Sequence, residues 1–264
     1  MSTIDENILE IRTEQSKILK VLFEVLKDVL ANDINISFTS EGMSITEMNA
    51  TEEALVYLKL DAESFHGNYY CPNNIVAAID PVNFFKIIKI ANNDTISFYI
   101  KKSDPELFYV KLENIEKKRS FESCVRLLDK PNLIYSIPDV EFDSEILLPS
   151  GELQKICRNL NSLGSQPIIE IKSVNDKLIF SHQGDFSKQK VAYSQSTELE
   201  FDKESTQVIQ GKFNLKFLLL FTKATELCKH VKIYLKNDFA LILEYSVGNL
   251  GKVMFLLNNL RDVD

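Results

Sequence analysis

Hydrophobic residues recur along this chain with two different periods, and the change between them outlines its elements. Residues 17–30 place four apolar side chains on one helical stripe, whereas Lys20 and Lys27, seven residues apart, fall together on another. This spacing predicts an amphipathic helix. Alternating runs follow at 34–38 and 43–48 around a turn at 39–42, and the alternation at 54–60 predicts a further strand.

The same order of elements occurs a second time. Helices are predicted at 81–91, at 149–163 between Pro149 and Gly164, and at 214–226, and each is followed by alternating runs. Helix starts lie 64 residues apart in the first half (17 to 81) and 65 in the second (149 to 214), and the offset of 132 between halves is half of the 264 residues. This pattern predicts a duplicated α+β unit, each copy with two helices on an antiparallel sheet.

The stretch at 129–145 has two prolines, five carboxylates and no sustained period, which is typical of a connector. We therefore predict an N-terminal domain at 1–128, an interdomain connector at 129–145 and a C-terminal domain at 146–264.

Charge is distributed unevenly between the helices and the rest of the chain. The net charge is −8, yet the four predicted helices hold nine basic and four acidic residues. They total +5, so the remainder totals −13. A single lysine on a helix is usually an ordinary solvated residue, but the same bias in four helices indicates a surface that faces a polyanion.

Candidate catalytic groups are sparse. The cysteines at 71, 124, 157 and 228 lack metal-ligand or disulfide-framework spacing, which suggests a reducing compartment. His182 and Asp185 could form a pair, and the carboxylates of Glu141, Asp143 and Glu145 could hold a metal, but loops and linkers commonly supply both patterns. No signal segment, membrane span or glycine-rich phosphate loop is evident. The sequence favours a binding module without metal or cofactor over an enzyme.

Several stretches resemble the proliferating cell nuclear antigen family of eukaryotic-type DNA sliding clamps. They are ILKVLFEVLKDVL, YSIPDVEF, PSGELQKICRNLNSLG and FTKATELCKHVKIYL, and the similarity covers nearly the whole chain. The resemblance implies a head-to-tail homotrimer, in which six domains form a ring with outer sheets and twelve helices around duplex DNA. It implies partners as well: DNA polymerase, a clamp loader and proteins with a clamp-interacting peptide. The site of action would be the nucleus, or a viral replication site.

The resemblance also assigns two sets of site residues. The DNA-facing positions of such clamps match Lys20, Lys27, Lys86, Lys89, Lys155, Arg158, Lys216 and Lys223. Two of them, Lys155 and Lys216, stand where arginine is common, and Ser162 stands where a histidine can face DNA. The pocket for a partner motif of a glutamine and spaced aromatic residues matches Met48, Leu55, Tyr135, Ile137, Ala240, Leu256 and Leu257. For Leu256 and Leu257, the alternative is that they simply end a core strand.

Some features leave alternatives open. Asn258, Asn259 and Leu260 replace a usual Ala-Pro-Lys segment, which puts the partner repertoire in question. The subunit interface is expected to pair a strand near 121–127 with one near 188–194. The chain could instead be a subunit of a heteromeric checkpoint-type clamp, a monomeric processivity factor or, remotely, a hydrolase that uses His182 or the acidic linker.

Overall fold

The structure, a computed structural model, describes residues 6–260 except 134, 136, 138, 139, 165, 185, 198 and 204–206. It divides into two compact units. The first holds the described residues within 1–50, 56–136 and 246–253, and the second holds those within 51–55, 137–245 and 254–264. Among the described residues, no helix is long and apolar enough to cross a membrane.

The first unit contains two helices and two runs of antiparallel strands. Its five-stranded sheet has the order β5-β1-β7-β8-β9, and a second run has the order β4-β3-β2-β6. The elements are β1 (Asn7–Thr13), α1 (Ser16–Leu30), β2 (Ile34–Thr39), β3 (Gly42–Met48), β4 (Ala54–Asp61), β5 (Tyr69–Tyr70), β6 (Ile75–Ile79), α2 (Pro81–Ile88), β7 (Thr95–Lys101), β8 (Asp104–Asn114) and β9 (Arg119–Arg126).

An aromatic cluster fills the space between the helices and sheets of the first unit. Phe23 of α1 contacts Phe84 of α2 edge to face, with ring centroids 4.8 Å apart. Phe84 also stacks on Phe108 of β8, and Phe98 of β7 stacks on the same ring. These rings lie on the apolar side of each element, so their burial fixes both helices against the sheet.

The second unit repeats this plan. Its strands form the run β14-β10-β16-β17 and a four-stranded sheet β13-β12-β11-β15, all antiparallel. The elements are β10 (Ser144–Pro149), α3 (Ser150–Ser162), β11 (Ile168–Val174), β12 (Lys177–Gln183), β13 (Lys188–Ser194), β14 (Glu200–Lys203), β15 (Ile209–Asn214), α4 (Leu215–Phe221), β16 (His230–Leu235), β17 (Leu241–Val247) and β18 (Gly251–Leu257). Phe221 of α4 stacks on Phe255 of β18 at 4.8 Å and anchors this core.

The predicted duplication agrees with the observed helices. α1 and α2 begin at residues 16 and 81, and α3 and α4 begin at 150 and 215, so both pairs are 65 residues apart. The strands of each unit lie in two runs rather than one. Two helix ends differ from the prediction: α2 stops at Ile88, and α4 stops at Phe221 and continues as a 3₁₀ helix through Leu227.

A buried carboxylate fixes the turn before β7 to the start of β9. Asp94 is almost fully buried and accepts hydrogen bonds from Asn92 N at 2.8 Å and from Arg119 Nη2 at 3.1 Å to each oxygen. Burial alone would raise the pKa of this carboxyl. The hydrogen bonds from Asn92, Asn114 and Arg119, and the Arg119 charge, outweigh burial and lower the pKa.

The start of the predicted connector is fastened to the first unit. Lys130 Nζ donates to Glu47 Oε1 and to Asp33 O, both at 2.6 Å, and Asn35 Nδ2 donates to Pro131 O at 3.1 Å. Glu47 Oε1 also accepts from Asn35 N at 2.7 Å. In the second unit, β10 already begins at Ser144, within the predicted connector.

Candidate nucleic-acid interface and partner site

The first unit presents four of the predicted DNA-facing lysines on its helix pair. Asp80 caps the N-terminus of α2 by accepting from Val82 N and Asn83 N, which satisfies two main-chain donors of its first turn. Lys86 is exposed and donates to Asn83 Oδ1 at 2.7 Å. Lys89 is exposed just beyond the last residue of α2, and Lys20 of α1 is half-buried.

Lys27 is also held by contacts within the protein. Its ammonium group lies 5.2 Å from the centroid of the Phe85 ring of α2 and pairs with Asp28, and its side chain is 22% exposed. A cation over an aromatic face stabilises the contact between α1 and α2. Lys27 therefore contributes to helix packing as well as to the positive charge of this unit.

The second unit presents the other four predicted cations, all exposed. Lys155 and Arg158 lie three residues apart on α3, and Lys155 Nζ lies 3.6 Å from Glu152 Oε1. Lys216 and Lys223 lie on α4 and the following 3₁₀ helix. Hydrogen bonds join the two helical segments: Gln154 Nε2 of α3 donates to Thr222 O at 2.7 Å.

Helix α3 lies within the predicted range, from Ser150 to Ser162. Pro149 occupies its N-cap position, and the Ser150 hydroxyl donates to Cys228 O at 2.6 Å. Ser162 is exposed and bonds back to Asn159 O at 2.8 Å.

The predicted partner-pocket residues differ in how much surface they offer. Leu55 in β4 is 7% exposed. Leu256 and Leu257 are 6% and 1% exposed and stand at the end of β18, as the alternative for these two residues expects. Met48 at the end of β3, Tyr135, Ile137 and Ala240 are half-buried. Met48 and Tyr135 belong to the first unit, whereas the other five belong to the second.

The residues considered for catalysis form hydrogen bonds and ion pairs within the protein. His182 is buried, and its Nε2 bonds to Gln166 O at 2.9 Å; Asp185, its predicted partner, lies outside the described residues. Asp143 and Glu145 form ion pairs with Lys236 and Lys232. The described part of the chain contains no cluster of three or more potential metal ligands.

All four cysteines are free, and they differ in burial. Cys157 is buried in α3, and desolvation raises the pKa of its thiol to about 12. Cys124 on β9 is exposed.

Two edge strands carry the segments that were predicted to join subunits. β9 is the last strand of the five-stranded sheet in the first unit, and β13 is the last strand of the four-stranded sheet in the second. Side chains alternate between exposed and half-buried along both strands. An edge strand has unpaired main-chain groups along one side, so each is a template for another strand.

Sequence reasoning missed a polar network next to the partner-pocket residues of the second unit. Asn258 donates to the loop at 51–53, and Asn259 accepts from Lys212 N in β15. The signal available in the sequence was a pair of amides where the usual segment has alanine and proline, whose side chains have no hydrogen-bonding groups.

Two similar antiparallel units, each with a pair of basic helices, define the fold of a DNA sliding clamp. Residues 8–131 match the proliferating cell nuclear antigen N-terminal domain, and residues 136–260 match the C-terminal domain. The chain belongs to the proliferating cell nuclear antigen (PCNA) family of sliding clamps. Clamps of this family are non-enzymatic scaffolds.

Curated relatives of similar length support this assignment. The chain is 32% identical over 259 residues to "Probable DNA polymerase sliding clamp 1" of Paramecium bursaria Chlorella virus 1. The aligned region covers 96% of this chain and 97% of the relative. It is 31% identical to the "Proliferating cell nuclear antigen" proteins of Chaetomium thermophilum, over 95% and 97% of the two chains, and of Dictyostelium discoideum, over 95% and 98%.

Proposed function

We propose that three copies of this chain close into a ring around duplex DNA and tether DNA polymerase and other DNA-processing proteins to it. The observation that carries this proposal is the pair of different edge strands, β9 and β13. Because the two edges are not equivalent, β9 of one copy would join β13 of the next in a head-to-tail contact. Such a contact, repeated by a rotation that closes, produces a ring.

The charges of the helices support DNA as the occupant of the ring. Each unit places four of the predicted DNA-facing cations on or next to its helix pair, although the whole chain has a net charge of −8. Cations that contact phosphates without reading bases bind any sequence and allow movement along the duplex. A closed ring retains DNA by topology, so these contacts need not be strong.

A charge-matched comparison tests the proposed DNA-facing set. A variant with alanine at Lys20, Lys86, Arg158 and Lys223 is expected to shorten clamp-dependent primer extension by the cognate polymerase while peptide binding is unchanged. The control has alanine at the exposed residues Lys102, Lys117, Lys118 and Lys177, which removes the same charge outside the helices. Equal losses in the two variants would show that net charge matters rather than these positions.

For the partner site we propose that a clamp-interacting peptide binds at the seven predicted residues. Four of them, Met48, Tyr135, Ile137 and Ala240, are half-buried, and three, Leu55, Leu256 and Leu257, are its buried members. Ile137→Asp is expected to abolish peptide binding, because a carboxylate would have to be desolvated in an apolar contact. Unchanged affinity for the peptide would place the site elsewhere.

We further propose the domain boundaries 1–128, 129–145 and 146–264, and the nucleus or a viral replication site as the place of action. Limited proteolysis is expected to cut first within 129–145. A fluorescently tagged chain is expected to collect where new DNA is labelled, and exclusion from those sites would contradict this localisation.

A further inference from the structure

The end of β18 is locked to the loop before β4 by hydrogen bonds that converge on two adjacent asparagines. Asn258 N donates to Glu53 O and Asn258 Nδ2 donates to Glu52 O, both at 2.9 Å. Because carbonyl oxygens only accept, the amide orientation of Asn258 is fixed by its partner. All three residues lie in the second unit.

Asn259 closes the other side of this segment against β15. Its Oδ1 accepts from Lys212 N at 3.0 Å, and the next residue, Leu260, donates its N–H to Lys212 O at 2.8 Å. A main-chain N–H requires an acceptor, so the orientation of the Asn259 amide is fixed as well. The side chain of Asn258 therefore acts as a donor through its Nδ2, whereas that of Asn259 acts as an acceptor through its Oδ1.

The loop at 51–53 is itself anchored to helix α4. Glu53 accepts from Thr51 Oγ1 at 2.8 Å and from Asn214 Nδ2 at 3.3 Å, and Asn214 Oδ1 caps α4 through Lys216 N at 3.1 Å. Glu52 adopts a left-handed backbone with φ of 57°, which is unfavourable for a residue with a side chain. A strained residue persists only when its surroundings hold it, and here Asn258 holds its carbonyl.

We infer that Asn258 is a positioning residue for partner-peptide binding. It acts through a rim clasp beside the pocket residues Leu55, Leu256 and Leu257, which consists of Glu52, Glu53, Asn214, Asn258 and Asn259. The inference rests on the proposed partner site. Leu257 directly precedes Asn258, and Leu55 and Leu256 each lie two residues from the bonded pair Glu53 and Asn258. The clasp keeps this rim preformed, so a peptide does not have to order the loop when it binds.

Two aspartate variants that differ by one position provide a matched test. In Asn258→Asp, a carboxylate oxygen replaces the donor and repels Glu52 O. Glu52 is therefore released, although the main-chain bond from Asn258 N to Glu53 O remains. In Asn259→Asp, the acceptor for Lys212 N is kept and the clasp stays closed. Both variants add one negative charge at neighbouring positions, so net charge and local repulsion of an acidic peptide are matched.

The probe is a synthetic peptide with a glutamine and spaced aromatic residues, titrated against the full-length protein. Asn258→Asp is expected to weaken its affinity about tenfold, mainly through slower association, because the rim must first order. Asn259→Asp is expected to stay within about twofold. In the free protein, amide hydrogen exchange at 50–53 is expected to accelerate in the first variant alone.

The outcomes separate this inference from the function on which it rests. If the unmodified protein does not bind the peptide, the proposed partner site fails, whereas the exchange measurement still tests the clasp. If the unmodified protein binds and the two variants lose affinity equally, or neither loses it, Asn258 is not a positioning residue. Unaltered exchange at 50–53 in Asn258→Asp would contradict the clasp itself.

Discussion

Removal of Lys130 is predicted to destabilise the protein through the carboxylate that it leaves behind. Glu47 is 7% exposed at its side chain and accepts from Lys130 Nζ at 2.6 Å and Asn35 N at 2.7 Å. Lys130→Met removes the only cation paired with Glu47 among the described residues. An uncompensated buried charge costs several kcal/mol, and we expect about 2–4 kcal/mol of unfolding free energy because Lys130 is 20% exposed.

Substitution of the carboxylate partner, Glu47, is predicted to cost less unfolding free energy. Glu47→Gln keeps an amide oxygen as acceptor for both donors, and Lys130 retains Asp33 O and partial access to water. We expect about 1 kcal/mol. Because an apolar pair leaves no buried charge, the combination Glu47→Leu with Lys130→Met is expected to be less destabilised than Lys130→Met alone.

Urea unfolding at a fixed protein concentration is the appropriate assay, with the exposed Lys117→Met as control. We expect Lys130→Met to be the least stable variant and the control to equal the unmodified protein. Equal effects of Lys130→Met and Glu47→Gln would refute the role of the buried charge, as would a double variant that is no more stable than Lys130→Met.

Three further predictions concern side chains whose burial or hydrogen bonding the structure defines. Phe84→Ala, in the aromatic cluster, is expected to lower unfolding free energy by about 3–5 kcal/mol, against less than about 0.5 kcal/mol for the exposed Val82→Ala; similar midpoints in urea would contradict the cluster's role. The lowered pKa of Asp94 supplies stability above its unfolded pKa of about 3.9, and this is lost as pH falls through its folded pKa. In Asp94→Asn, the unfolding free energy should therefore depend less on pH below about pH 4. An unchanged pH profile would exclude Asp94 as a source of the pH dependence. In single chains separated from one another at neutral pH, Cys124 is expected to react with a maleimide while Cys157 does not. Mass spectrometry of the labelled peptides measures this, and rapid labelling of Cys157 would contradict its burial.

The helices could be predicted from the sequence because their stabilising pattern is local. α1 spans 15 residues, and its buried and exposed positions follow one helical period, so both its extent and the side of Lys20 were predictable. No residues were predicted for the strand before α1, although the burial of β1 alternates. Its main partner, β7, is about 90 residues away, and pairing over such a distance leaves no local signal.

In the candidate site, too, features set by local sequence were predictable and features set by distant contacts were not. Exposure of the cations on α3 and α4 follows from helical spacing, whereas the position of Lys27 over Phe85 depends on how α2 packs against α1. The clasp joins residues near 53, 212 and 258, so no window of sequence contains it. Two adjacent asparagines indicated only that the segment differs from the usual one.

The mass of the protein in solution tests the central claim most directly, since a ring that encircles DNA requires closure by several copies. Light scattering of the purified chain, without DNA or loader, is predicted to give about 91 kDa, three times the 30.2 kDa of one chain. A mass of 30.2 kDa that persists as protein concentration rises would contradict the homotrimeric ring. It would favour a monomeric processivity factor, or a subunit that needs different partner chains.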